Sequence, residues 1–248
     1  METVHKPRKQ GQSKSFKEGI VLHKYKVIYF QIPKVACSSI KHVLAHFLEF
    51  SEKETEFIHL VDFPSIGKEE CTSGVYKRYY RFAFARNPWD RLWSCYCSKV
   101  ATKKRNVGFR FENGIHRSFL KYKSIEAGMS FDEFSRAVQN IPDDQSDPHF
   151  KSQHTFITGK DGKLLVDFIG HFENLQDDFR SVCRKTGLPE RPLPQKNSRY
   201  PKHCNKEFTQ HYSHYYSEEA KQIVSDRFRK DIELLGYRIL KRSNSAVG

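Results

Sequence analysis

The 248-residue sequence has no apolar run approaching 18 residues, so hydropathy gives no membrane-spanning helix. Its first residues, METVHKPRKQGQSKSFKEG, are basic but lack an apolar core, so no secretory signal is expected in them. No CxxC pair and no zinc-finger spacing occur among Cys37, Cys71, Cys95, Cys97, Cys183 and Cys204. The expectation is therefore free, mostly buried thiols in a reducing compartment and no metal site. Internal repeats are absent, as are the RNP, KH and helix-turn-helix signatures of nucleic-acid binders. Acidic residues are scarce, 29 Asp and Glu against 43 Lys and Arg, for a formal net charge of +14. A basic surplus of that size points to an anionic partner. What the sequence does have is 20 Phe and 12 Tyr, enough bulk to build a core despite a hydrophobic content of 38%.

The charge is uneven. Residues 1–17 carry Lys6, Arg8, Lys9, Lys14 and Lys17 against Glu2 alone, a net +4 without apolar periodicity. Residues 1–19 are expected to be a flexible basic tail, 20–240 one folded domain bearing the remaining +10, and 241–248 a flexible end. The expected protein is soluble, with a cytoplasmic location.

Periodicity divides that domain into strands alternating with helices. Lys26–Ile32 (KVIYFQI) is β-branched and aromatic and predicts a buried strand, stopped by Pro33. From Ser38 the apolar residues Ile40, Val43, Leu44, Phe47 and Leu48 fall on one helical face. Arg81–Ala85 (RFAFA) repeats the arrangement, followed by Pro88 and a helix carrying Trp89, Leu92, Trp93, Tyr96 and Val100. Ser130 and Glu133 form a capping-box pattern before a helix over Phe131–Asn140. Leu164–Ile169 (LLVDFI) predicts a third strand, with a helix through Leu175, Phe179, Val182 and Cys183 ending at Gly187. Four prolines make 188–206 a long loop, and Ser217 caps a last helix through Ala220, Ile223, Val224 and Phe228. The fold class is α/β, a P-loop-like parallel sheet with helices on both faces.

Ligands of such sheets bind beyond the carboxyl ends of strands, where helix N-termini accept anions. The first junction, Pro33-Lys34-Val35-Ala36-Cys37-Ser38-Ser39-Ile40-Lys41, offers a lysine, small residues and two hydroxyls. It contains no glycine, so it is not the G-x-x-x-x-G-K-[ST] loop of Mg²⁺-dependent nucleotide hydrolases. An anion cradle and an ordinary helix start with a solvated lysine both fit. The second junction places Arg86 at a strand end and Ser94 eight residues on, with Asp90 and Arg91 between. It suits a phosphate clamp or a simple Arg86–Asp90 ion pair.

Taken together, the first loop resembles the phosphosulfate-binding loop of sulfotransferases that use 3′-phosphoadenylyl sulfate (PAPS). RNPWDRLWSCY is similar to their 3′-phosphate motif, R-x-P-x-x-R-L-x-S-x-Y. DFIGHFENLQDDF (Asp167–Phe179) and the closing YYSEEAKQIVSDRFRKDIELLGY resemble further segments of the carbohydrate sulfotransferases, the chondroitin, dermatan and HNK-1 group and its soluble bacterial relatives. The resemblance spans roughly residues 26–240 and implies the sulfotransferase fold. It also implies an enzyme that moves a sulfuryl group from PAPS to a carbohydrate hydroxyl, with no metal. If the chain is the catalytic domain of a longer protein, a Golgi lumen location replaces the cytoplasmic one.

By the same resemblance, Lys34 contacts the leaving oxygen, and the backbone of Val35, Ala36, Cys37, Ser38, Ser39 and Ile40 cradles the phosphosulfate. Arg86 and Ser94 hold the 3′-phosphate, while Lys196, Ser198 and Arg199, beside Asn197, cover the nucleotide. The catalytic base is a histidine, His59 in FIHLVDF or His149 in DPHFKSQH, since imidazole titrates near neutrality. Departures are Cys37-Ser38-Ser39 in place of Cys-Thr-Asn and Phe150 in place of Trp. Lys99, Lys103, Lys104, Arg105 and Arg110 suit an acidic glycan or a solvated helix end. The alternative reading is a non-enzymatic binder of heparin-like polyanions or nucleic acid through the basic body. A kinase using ATP and Mg²⁺ is disfavoured by the missing G-K-[ST].

Overall fold

The computed structural model describes residues 19–101, 111–112, 114–194 and 210–238. A five-stranded sheet forms its centre, in the order β3-β1-β2-β4-β7. Three parallel strands are β2 (Val27–Phe30), β4 (Tyr80–Ala85) and β7 (Phe168–His171). Beside them β1 (Gly19–Leu22) runs antiparallel to β2, and β3 (Ser65–Ile66) runs antiparallel to β1. The expected parallel sheet is therefore the inner part of a mixed one. GIVL turns back into β2 through His23–Tyr25, and Lys26 takes the left-handed conformation (φ 54°) that reverses the chain.

The helices follow their apolar periodicity. Helix α1 (Cys37–Phe47) leaves β2, and α2 (Glu52–Thr55) opens on a Ser51–Glu54 capping box. Helix α3 (Pro88–Lys99) leaves β4, and a β5–β6 hairpin (Phe111–Glu112, Ile115–His116) follows. Helix α4 (Phe131–Gln139) carries the expected Ser130–Glu133 capping box. Short α5 (His154–Ile157) precedes β7, and α6 (Leu175–Thr186) ends at left-handed Gly187. The last helix is two, α7 (Glu218–Arg227) and α8 (Arg229–Leu235), broken at Phe228.

The third strand starts later than its apolar run. Asp167 turns its carboxylate to the Arg81 side chain and backbone N–H, so Leu164 stays exposed and pairing begins at Phe168. Gly170 is required there, because a Cβ would overlap the Phe84 ring.

Two apolar clusters result. One surrounds the sheet, with Val27, Ile28, Tyr29, Phe30, Phe82 and Phe84 fully buried. The other packs α3 against α4 and α7 through Trp93, Phe131, Phe134 and Tyr216. Helix α3 runs from the end of β4 into the second cluster, so both junctions lie at one end of the parallel strands.

Candidate functional site

The loop after β2 has an unusual backbone. Lys34 (φ 74°) and Ala36 (φ 63°) are both left-handed, without glycine. Such conformations cost roughly 1–2 kcal/mol per non-glycine residue and gather where chain direction serves a ligand. Ala36 occupies the N-cap of α1 and offers no side-chain oxygen to the first turn. By contrast, Asn87 Oδ1 caps α3 by accepting from the Trp89 N–H at 3.1 Å.

Lys34 is not a solvated lysine. Its Nζ donates to Ser98 Oγ at 2.7 Å, and that hydroxyl donates to Ser94 O at 2.9 Å. Burial pulls the Lys34 ammonium below its ordinary pKa; Cys95 opposes that and Arg86 adds to it. Arg86, 5% exposed, donates from Nε and Nη2 to the Asp90 carboxylate at 2.8 and 2.9 Å, and from Nη1 to Lys34 O at 3.0 Å. Its guanidinium also lies 4.1 Å from the Phe172 ring centroid. The Arg86–Asp90 pair is thus formed, and with the bond to Lys34 O it uses one N–H on each guanidinium nitrogen. Both junctions meet in a single site.

Arg91 locks that site. Its Nε donates to Pro33 O (2.9 Å), Nη1 to Lys151 O (2.8 Å) and Nη2 to Pro148 O (3.0 Å). Burial lowers its pKa to about 10, against the pull of Asp231. Gln153 fixes Arg86 from behind, accepting from its N–H at 3.0 Å and donating to its carbonyl at 2.8 Å. Buried Asp231 in turn accepts from the Gln153 and His154 N–H groups at 2.6 and 2.8 Å. On the other flank, Glu173 accepts from Asn87 N and Tyr237 Oη. The four segments singled out in the sequence therefore converge around Arg86.

The two candidate bases differ in setting. His59 is exposed, with Nε2 2.7 Å from Ser38 Oγ in the first turn of α1. His149 is half-buried, with Nδ1 2.6 Å from Asp147 Oδ1. Burial pushes the Asp147 carboxyl up, but hydrogen bonds from His149 and Ser118 bring it down to about 2. That acceptor-only carboxylate places the proton on Nδ1 and leaves Nε2 as the acceptor. Burial, aided by Lys99 and Lys34, drives the His149 imidazole down to about 4 despite Asp147.

Lys41, one turn into α1, is 7% exposed. Its ammonium faces the Phe63 ring at 5.7 Å, and no ion pair to it forms among the described residues. Ser39 is buried, and Val35, Cys37 and Ile40 line the loop and helix start. Lys196, Asn197, Ser198, Arg199, Lys103, Lys104, Arg105 and Arg110 lie outside the described residues. So does Cys204; Cys37, Cys95 and Cys183 are free thiols. No group of metal-ligating side chains and no helix long and apolar enough to cross a membrane occurs among the described residues.

Sequence reasoning missed Ser98, Asp147 and Gln153 and gave Arg91 no role of its own. Ser98 lies one helical turn beyond Ser94, Arg91 is within the second motif, and Asp147 stands two residues before His149, so spacing was an available signal for those three. Gln153 had none.

A family model described as the sulfotransferase family matches residues 17–238. Carbohydrate sulfotransferase 14 of Danio rerio is 24% identical over 229 residues, covering 88% of this chain and 61% of its own length. Human carbohydrate sulfotransferase 10 is 25% identical over 239 residues, covering 88% of this chain and 66% of its own. The chain thus spans less than two thirds of either relative. An uncharacterized protein of Archaeoglobus fulgidus is 30% identical over 117 residues, 47% of this chain and 74% of its own. No solved structure matches the chain.

Proposed function

The chain belongs to the sulfotransferase family, and on that premise we propose that it transfers a sulfuryl group from PAPS to a hydroxyl of a carbohydrate acceptor. The observation that carries this reading is the union of the two junctions, with Arg86 Nη1 on Lys34 O at 3.0 Å. PAPS carries anionic groups at both the 3′ and the 5′ position of its ribose, and a site for it needs two cationic stations in fixed relation. Lys34 and Arg86 supply them, and Arg91 and Gln153 hold their backbones in place.

In this mechanism the strained loop and uncapped start of α1 take the phosphosulfate, with the Ser38 and Ser39 hydroxyls beside it. Lys34 stands next to the oxygen on which charge develops as the S–O bond breaks. The remaining N–H groups of Arg86 and the Ser94 hydroxyl grip the 3′-phosphate. His59 takes the proton of the acceptor hydroxyl. It is exposed and touches Ser38 in the donor loop. His149, held by Asp147 at 2.6 Å and drawn down to about 4 chiefly by burial, is the second candidate for that role. The carbohydrate class rests on the names of the two relatives. Radiolabelled sulfate transfer from PAPS to a panel of glycans tests the proposal. Labelled product is expected, and no product from any glycan contradicts it.

A further inference from the structure

Residues 57–60 form a tight turn, closed by the Leu60 N–H donating to Phe57 O at 2.7 Å. Ile58 is its one inward anchor, 6% exposed and packed in the sheet core. Phe57 and Leu60, the two ends of the turn, are 56% and 64% exposed, and His59 is exposed between them. Phe57 is the only aromatic among the exposed large hydrophobic residues of the described chain. Phe57 and Leu60 are thus two exposed apolar side chains on a four-residue turn whose imidazole touches the donor loop.

We propose that this turn is the acceptor platform, on which Phe57 stacks against the C–H face of a pyranose ring while Leu60 borders the same sugar. The inference rests on the proposed transfer reaction. The reacting hydroxyl must reach both His59 and the start of α1, so the rest of its sugar lies over the surface bordering His59. Phe57 and Leu60, exposed on the same four-residue turn, are the apolar side chains the chain places beside His59. A pyranose has an apolar face and a polar rim, which matches an aromatic plane beside a hydrogen-bonding imidazole. Burial of Ile58 fixes the turn, so the ring is presented without reordering the backbone.

The test is direct binding of unsulfated chondroitin and dermatan tetrasaccharides and N-acetyllactosamine to the full chain, measured by saturation-transfer NMR and titration. Wild type is expected to bind at least one. Phe57→Ala is expected to weaken it about tenfold, and Phe57→Tyr to restore it. Thermal stabilisation by adenosine 3′,5′-bisphosphate should be the same in all three proteins, which also shows that the variants fold. Unchanged glycan binding by Phe57→Ala, or no binding of any glycan by wild type, overturns the proposal. A Phe57→Ala variant that turns a dimer into a monomer without losing glycan affinity also overturns it, assigning the patch to a second copy of the chain. Loss of the bisphosphate response in wild type strikes the donor reading instead, leaving the Phe57 comparison to be judged on glycan binding alone.

Discussion

The ammonium of Lys34 donates to the hydroxyl of Ser98 at 2.7 Å, joining the loop after β2 to the third turn of α3 across 64 residues of sequence. A half-buried lysine held this way has a defined position before any anion arrives, the preorganisation that electrostatic catalysis requires. The loop carrying it depends on Arg91.

Replacing Arg91 with lysine keeps a charge but loses the fork that satisfies three backbone carbonyls. Each abandoned buried acceptor costs about 1 kcal/mol or more. At roughly 2–4 °C per kcal/mol for a chain of this size, Arg91→Lys should lower Tm by about 6 °C or more. Calorimetry checks it; a drop under 2 °C would show that the clamp is idle.

Lys41 predicts the opposite sign. It is buried against Phe63 without a carboxylate partner among the described residues, and burial lowers its pKa. A depressed lysine pKa means the unfolded chain binds the proton more tightly, so this group makes stability rise with pH up to about 10.5. Lys41→Met should remove that slope and raise Tm at pH 7. A fall in Tm at pH 7 contradicts the account.

The Asp147–His149 pair predicts acid sensitivity. His149 has a folded pKa of about 4 against 6.5 unfolded, so protons favour the unfolded chain between those values, and stability falls as pH drops through that window. Asp147, lowered to about 2, extends the loss below pH 4. His149→Gln should flatten urea-derived stability between pH 6.5 and 4. An unchanged slope there removes the pair as its cause.

His59 and His149 should separate kinetically. His59→Ala is expected to cut kcat by about 10²–10⁴ and abolish the acid limb of the pH–rate profile. His149→Ala should keep that limb. The reverse pattern reassigns the base.

Much of this fold was readable because its signals are local. Val27–Phe30 and the α1 face from Ile40 to Phe47 follow simple periods, and Ser130 with Glu133 announces α4. The antiparallel edge was not, since β1 has four residues, β3 has two, and neither alternates. The start of β7 was misplaced because the Asp167 carboxylate, through a distant arginine, decides where pairing begins. In the site, Lys34 and Arg86 stood out as cations at strand ends. Their left-handed and doubly hydrogen-bonded backbones did not, because neither lysine nor alanine signals positive φ and Gln153 acts across 67 residues.

The central claim is that Lys34 and Arg86 hold a nucleotide bearing a 3′-phosphate, and thermal shift tests it most directly. At about 100 times its Kd, adenosine 3′,5′-bisphosphate should stabilise wild type by about 2.7 kcal/mol, roughly 5–10 °C. Adenosine 5′-monophosphate at the same concentration should do far less, and Lys34→Ala should abolish the bisphosphate shift. Equal shifts from the two nucleotides, or a bisphosphate shift untouched by Lys34→Ala, would contradict the account and return the chain to the class of diffuse polyanion binders.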